Sequence, residues 1–207
     1  VDAPPACLGA GCLLATSHAG DAACVDAGAG AVAWRAELGA PADEGAAACG
    51  GLVAVALASG GLAVLDVETG APAGSLRLNG SPRGPPTPAA QGGSGWWVGT
   101  REGAVVRVSA VAPAPALTAT LDAGARLAGA PVSGGGFLAG CAPGSGAALL
   151  RVVEEEGGSG PVVAPWPRGS AAGRWSASPA AAASASPIVV GGLLVVVADT
   201  AGCAAAF

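Results

Sequence analysis

The sequence has no methionine, a single histidine and a single asparagine, and only nine basic residues in a chain of 207. Each shortage closes off some chemistry. Because the chain starts at Val1 and has no Met, it is expected to be a segment of a longer polypeptide. His18 is the only histidine, so every His-based zinc site or Ser-His-Asp triad would depend on it. A triad needs a nucleophile with a placed base, and no G-x-S-x-G elbow accompanies His18. It is expected to be a structural or surface residue at a strand end. The nine cations are scattered and the net charge is −5. A nucleic-acid surface needs clustered cations to displace counterions, so none is expected. Hydrophobic residues make up 52% and the mean hydropathy is +0.58, yet Gly191 and Gly192 interrupt the longest apolar run, Ile188 to Ala198. A membrane helix needs roughly 20 such residues. No charged-then-apolar leader is visible, and a soluble chain is expected.

Six cysteines stand at 7, 12, 24, 49, 141 and 203, with no C-x-x-C and no adjacent pair. Cys24, Cys49, Cys141 and Cys203 lie in or beside apolar stretches, where a free thiol packs as a small hydrophobe. A chain of this length does not require a disulfide framework, so reduced structural thiols are expected. The one charge run, Glu154-Glu155-Glu156, adjoins Gly157-Gly158-Ser159-Gly160 and reads as a solvated loop.

What the chain does have is a repeat. Asp26-Ala27-Gly28-Ala29-Gly30 recurs forty residues later as Asp66-Val67-Glu68-Thr69-Gly70. The same offset relates Leu38 to Leu78 and Gly20 to Gly60. A Gly opens an apolar run at Gly61, Gly103, Gly146 and Gly202, with intervals of 42, 43 and 56. The longest interval holds a Gly/Pro/Ser/Ala-rich insertion, around 154–185. A period near forty is that of a four-stranded propeller blade.

Each unit starts with Ser-Pro or Ala-Pro, as in Ser186-Pro187-Ile188, then has a Gly turn and a short apolar strand such as Leu52-Val53-Ala54-Val55-Ala56. An Asp-x-x-x-Gly turn leads to an outer strand. Glycine supplies the positive φ of tight and bulged hairpins, and short strands between regular turns indicate an all-β fold. Strands are expected near 12–16, 31–38, 52–57, 62–67, 104–109, 147–153 and 193–198. Pro179 and Pro187 bracket Ala180 to Ala183 too closely for a stable helix. The expected architecture is an all-β propeller of four-stranded blades over 1–207. About five repeats are visible, either most of a small ring or an incomplete part of a larger one.

Cys24, Asp26, Gly30 and Trp34 resemble the tryptophan-docking repeat of quinoprotein-type (PQQ-like) propellers. In that family the Trp packs between neighbouring blades while Asp and Gly shape the turn. Val64, Asp66, Thr69 and Gly70 match as well, but Gly74 stands where Trp is expected and Ser109 replaces the Asp of the next copy. Within the family the order of motifs is most similar to the C-terminal propeller of beta-alanine-activating-type acyl-activating enzymes. Val1-Asp2-Ala3-Pro4-Pro5 is similar to the V-D-A-S-P that begins that propeller, and Ala15-Thr16-Ser17-His18-Ala19-Gly20 to its G-S-H-S strand end. The resemblance implies an accessory, cytoplasmic, non-catalytic domain that meets a protein partner or adjoining domains, with no nucleic acid and no membrane. The parent would be an AMP-forming ligase whose adenylation and carrier domains are not in this sequence.

The alternative implied by the same family is part of a PQQ-dependent oxidoreductase. Those enzymes use an adjacent Cys-Cys pair, a Trp platform, and carboxylate and amide ligands around Ca²⁺, an ion that takes six to eight oxygens. This chain has no Cys-Cys and only Asn79 for an amide of that kind. Asp26 and Asp66 sit where Asp bonds its own backbone. Gly28-Ala29-Gly30-Ala31-Val32-Ala33 reads superficially as G-x-G-x-x-A, but a dinucleotide fingerprint needs a helix directly after it. Trp96-Trp97 occupies the strand position of Val53-Ala54 and is expected to pack in the core. No catalytic, cofactor or metal residue is assigned, and no cofactor is expected.

Overall fold

The computed structural model describes residues 3–9, 11–89, 95–110, 114–122, 127, 129–134, 137–141, 149–154, 161–165, 188–190, 194–198 and 204–206, with strands and their pairing alone from Val132 onward. Every described element is a β-strand, and each sheet is a simple antiparallel meander. Blade 1 comprises β1 (Ala6–Gly9), β2 (Cys12–Thr16), β3 (Asp21–Asp26) and β4 (Ala31–Glu37). Blade 2 comprises β5 (Ala46–Cys49), β6 (Leu52–Leu57), β7 (Gly61–Asp66) and β8 (Pro72–Arg77). Blade 3 comprises β9 (Thr87–Pro88), β10 (Gly95–Gly99), β11 (Ala104–Ser109) and β12 (Ala116–Asp122). Blade 4 comprises β13 (Val132–Gly134), β14 (Phe137–Cys141), β15 (Leu149–Glu154) and β16 (Pro161–Pro165). Three strands of blade 5 are described: β17 (Ile188–Val190), β18 (Leu194–Ala198) and β19 (Ala204–Ala206).

The period of forty is visible in the hydrogen bonds themselves. Leu38 N–H donates to Gly20 O at 2.7 Å, and Leu78 N–H to Gly60 O at 2.9 Å. Ala27 N–H donates to Gly11 O at 2.7 Å, and Val67 N–H to Gly51 O at 3.0 Å. A bulge between Cys24 and Val25 against β4 recurs between Val64 and Leu65 against β8. Two stretches of sequence that share a turn grammar therefore share a backbone path.

The blades bury their apolar residues against each other, because successive strand residues point to opposite faces. Val53 and Val55 of β6 pack with Leu8, Leu14, Cys24 and Trp34 of blade 1. Their chain neighbours Ala54 and Ala56 pack with Trp96, Val98, Val106 and Val108 of blade 3. All four β6 residues are fully buried. Each large aliphatic so covered contributes about 1.5–3 kcal/mol. The first strands approach in succession: β1 meets β5, β5 meets β9, β9 meets β13 and β13 meets β17. Among the described residues the blades form an arc that does not close into a ring.

Two expectations need correction. Pro161–Pro165, inside the expected insertion of 154–185, is the outer strand β16, paired with β15 from Leu150↔Pro165 to Glu154↔Pro161. An edge strand tolerates the prolines because one row of its N–H groups needs no ladder partner. Cys24 is also not a free thiol: it is joined to Cys12 by a disulfide, with Cα atoms 5.9 Å apart. The β2–β3 register places Leu14 opposite Cys24, so Cys12 is the diagonal neighbour on the same face. Cys203 lies outside the described residues.

Trp96 is wholly buried and its Nε1–H donates to Ala47 O at 2.9 Å, bridging blades 3 and 2. Replacing Trp96 by Ala is expected to lower unfolding stability by about 3–5 kcal/mol, measured by denaturant melts with an unchanged far-UV spectrum at low denaturant.

Candidate functional site

The register Cys24↔Trp34 sets the Trp34 side chain on the face of blade 1 that meets blade 2. There it reaches the β7–β8 turn and donates Nε1–H to Val67 O at 2.9 Å. The floor of this seat is Gly70. Its φ of +71° suits glycine, and a Cβ there would stand 2.5 Å from Trp34 Cε3. The turn is held by Asp66, whose Oδ1 accepts from Thr69 N–H at 2.9 Å, the Thr69 hydroxyl at 2.8 Å and Glu68 N–H at 3.1 Å. The earlier copy is built alike: Asp26 Oδ1 accepts from Gly28 N–H at 2.8 Å and Ala29 N–H at 2.9 Å. Both Asp residues thus bond their own turns, as the sequence predicts.

The next seam is fastened differently. Gly74 occupies the repeat position of Trp34, and a Cβ on it would stand 2.5 Å from Pro115 Cδ of blade 3. The aromatic bridge instead runs backward, from Trp96 to Ala47. Trp97, on the opposite face of β10, packs with Val105 and Leu127. The Arg107 guanidinium, its cross-strand partner, lies 5.6 Å from the ring centroid. The Trp-Trp pair is core, as expected, one ring to each side.

Polar groups cluster where each blade's second turn meets the connector to the next blade. Thr16 hydroxyl donates to Ala42 O at 2.8 Å. His18 Nδ1 lies 2.7 Å from Asp43 Oδ2. Asp43 Oδ1 is buried with no hydrogen-bond partner. One connector further on, Glu44 accepts from Gly84 N–H at 2.6 Å and pairs with the Arg101 guanidinium. Glu102 accepts from Ser81 N–H at 2.9 Å, and the Thr87 hydroxyl donates to Pro131 O. Sequence reasoning passed over Asp43, Glu44 and Arg101, which no motif marks. The repeat alone offers a hint, since Glu44 and Gly84 are forty apart.

The site residues singled out from sequence are accordingly dispersed. His18 is on the connector face, Trp34 and Asp66 meet at the first seam, and Trp96 and Trp97 face two different seams. Cys7 is free and exposed, and Cys49 Sγ accepts from Gly95 N–H at 3.3 Å. Asn79 is exposed, Glu154 ends β15, and Glu155 and Glu156 lie outside the described residues. Among the described residues no group of three or more His, Cys, Asp or Glu could hold a metal ion. Among the described residues no helix is long and apolar enough to cross a membrane.

Comparison with known proteins agrees with this architecture. Residues 18–93 match a PQQ-repeat family model described as outer membrane protein assembly factor BamB. No curated protein matches in sequence. Among solved structures the chain is similar to BamB from Moraxella catarrhalis, with a TM-score of 0.69 and 16% identity over 100% of this chain and 60% of that one. A chain of a mitotic checkpoint complex gives a TM-score of 0.75 at 10% identity, covering 98% of this chain and 60% of that one. BBS1N, solved in complex with ARL6DN, gives 0.65 at 12%, covering 94% and 55%. The chain thus spans 55–60% of the length of these structures. At such identities the likeness shows the fold alone, an array of β-propeller blades.

Trp34→Ala is expected to cost about 3–5 kcal/mol in denaturant melts; coincident melts would contradict the seat at Gly70. Hydrogen bonds hold the Asp26 carboxyl below its ordinary value of 3.8, first from Ala29 N–H and then from Gly28 N–H. Asp66 is lowered too, chiefly by the Thr69 hydroxyl and then by Thr69 N–H. A carboxyl depressed by folding adds stability above its unfolded value and loses it as the pH falls through the folded value. Asp66→Asn is therefore expected to melt below wild type at neutral pH, with the gap closing under acid conditions below 3.8. A gap that stays constant down that titration would contradict the turn-fastening role.

Proposed function

We propose that this chain is a non-catalytic β-propeller module that binds or scaffolds protein, the accessory C-terminal domain of an acyl-activating, adenylate-forming enzyme. The observation that carries the reading is where the chemistry-bearing groups go. Asp26 and Asp66 fasten turns, Glu44 and Arg101 tie connectors, and Trp34 and Trp96 bridge blades. Protein partners suit the fold, since similar propellers were solved within protein complexes, BBS1N with ARL6DN and the mitotic checkpoint complex among them. A net charge of −5 disfavours nucleic acid. The acyl-activating parent is supported by the resemblance of Val1–Pro5, Ala15–Gly20 and the Asp26–Trp34 turn to that group's motifs.

The complete reading frame tests the parentage: adenylation and carrier motifs upstream support it, and a frame lacking both overturns it. Cytoplasmic placement is part of the same proposal. Free, exposed Cys7 suits a reducing compartment, whereas the Cys12–Cys24 disulfide suits an oxidising one. Subcellular fractionation of the full-length protein decides, with recovery in the cytosol expected and recovery from an oxidising compartment contradicting the placement. In titration calorimetry the chain is expected to take up neither pyrroloquinoline quinone nor Ca²⁺. Stoichiometric submicromolar uptake of either would revive the oxidoreductase reading.

A further inference from the structure

The bend that follows β8 sets a carboxamide beside a glycine nitrogen. Asn79 is the only asparagine of the chain, Gln91 is the only glutamine, and Gly80 follows Asn79 directly. The two residues lie between anchors. On one side Leu78 is buried and its N–H donates to Gly60 O at 2.9 Å. On the other, Ser81 N–H donates to Glu102 Oε2 at 2.9 Å, Ser81 O accepts from Arg101 N–H at 2.8 Å, and Pro82 pairs with Thr100. The dipeptide between these anchors belongs to no strand, and Asn79 is exposed. Among the described residues neither the Asn79 carboxamide nor Gly80 N–H makes a hydrogen bond.

Each residue has a structural reason to be there. Asn79 stands forty residues after Gly39, whose φ is +73°, and asparagine is among the few non-glycine residues that tolerate such turns. Gly80 has φ +130°, and a Cβ on it would run into the Glu102 carboxylate. Together they have a chemical consequence. With no side chain on Gly80, nothing screens its nitrogen from the carboxamide one residue back, and no hydrogen bond holds either group away.

We propose that Asn79 is a self-modification site at the seam between blades 2 and 3, its amide hydrolysed by way of a cyclic imide. The Gly80 nitrogen gives its proton to solvent base and attacks Asn79 Cγ. The N–Cγ bond forms, the Cγ–Nδ2 bond breaks, and the departing nitrogen takes up a proton and leaves as ammonia. Water then opens the ring. Addition at Cγ gives aspartate on the original backbone, and addition at the Asn79 main-chain carbonyl gives isoaspartate, whose backbone runs through the former side chain. Either product carries a new negative charge two residues from the N–H that Glu102 holds. The isoaspartyl form also lengthens the link between the anchors at Leu78 and Ser81, so the ties from Ser81 to Glu102 and Arg101 loosen. The site is independent of the parentage and of the cellular placement.

The test holds the whole chain at mildly alkaline pH for weeks and follows it by tryptic peptide mapping. Cleavage after Arg77 and Arg83 isolates residues 78–83, whose aspartyl and isoaspartyl forms separate chromatographically. A free peptide of residues 77–83 under the same conditions measures how far the fold shields the site. Conversion in the chain is expected within about tenfold of the free peptide's rate, because an exposed bend between strands opens at little cost. It is expected to slow on acidification, since the attacking nitrogen must lose its proton, and to fall to background in Asn79→Gln, whose longer arm disfavours the ring. The converted chain is expected to melt about 2–4 °C below fresh protein, the shift that losing a net hydrogen bond produces at this size. Asn79→Gln should melt alike fresh and aged. An amide still intact at 79 after the free peptide has turned over overturns the site, and conversion without a change in melting temperature overturns its effect on the seam. Asn79-Gly80-Ser81 also has the form of a glycan acceptor. A glycan on Asn79 in protein from its own cells overturns the proposal, because it takes up the nitrogen that must leave.

Discussion

A four-stranded sheet with apolar residues at consecutive positions has two faces to hide, and nothing in the sheet itself can hide either. Leu52–Leu57 shows the constraint most plainly: Val53 and Val55 turn one way, Ala54 and Ala56 the other, and all four are excluded from water. Blades therefore stand only between neighbours. Packing alone leaves a seam free to slide, and the indole of Trp34 is what fixes it. One ring supplies a large apolar surface, a directional N–H to Val67 O, and a shape that only a glycine floor at Gly70 admits. The Asp66 turn exists to present that floor and that carbonyl.

The same constraint explains why the second seam could change its parts without changing its job. Where Gly74 replaces the docking tryptophan, Pro115 fills the space and Trp96 bridges from the other blade. The requirement is that two faces be covered and one bond be directional across the seam. Which blade contributes the aromatic is secondary. The connector ties, Glu44 to Gly84 and Arg101 and His18 to Asp43, act at the blade ends, where hydrogen bonds and charge take over from apolar area.

Much of this was legible in the residues. The forty-residue offset located the turns, because Gly at fixed distances from Asp reports a backbone need that no packing change can evade. The strands at 12–16, 52–57 and 104–109 fall where the apolar runs put them. Trp34 was legible too, since its motif encodes its own seat. The parts that were not legible depend on register or on neighbours. Cys12 and Cys24 share a face only because Leu14 sits opposite Cys24. Pro161–Pro165 reads as loop by composition and becomes a strand because β15 offers it an edge. The reversed bridge at Trp96 and the Glu44–Arg101 tie join residues 49 and 57 positions apart, beyond any local pattern.

The account stands or falls on the contact between Trp34 and Gly70, and a double-mutant cycle measures it directly. Gly70→Ala should be costly in the wild-type chain, because the new Cβ meets the ring, and should cost about 1 kcal/mol in a Trp34→Ala background, where only the positive-φ strain is left. The expected coupling is within the 0.5–3 kcal/mol found for residues in contact. If Gly70→Ala costs the same in both backgrounds by denaturant unfolding, the indole does not rest on that glycine and the seam is held by something else.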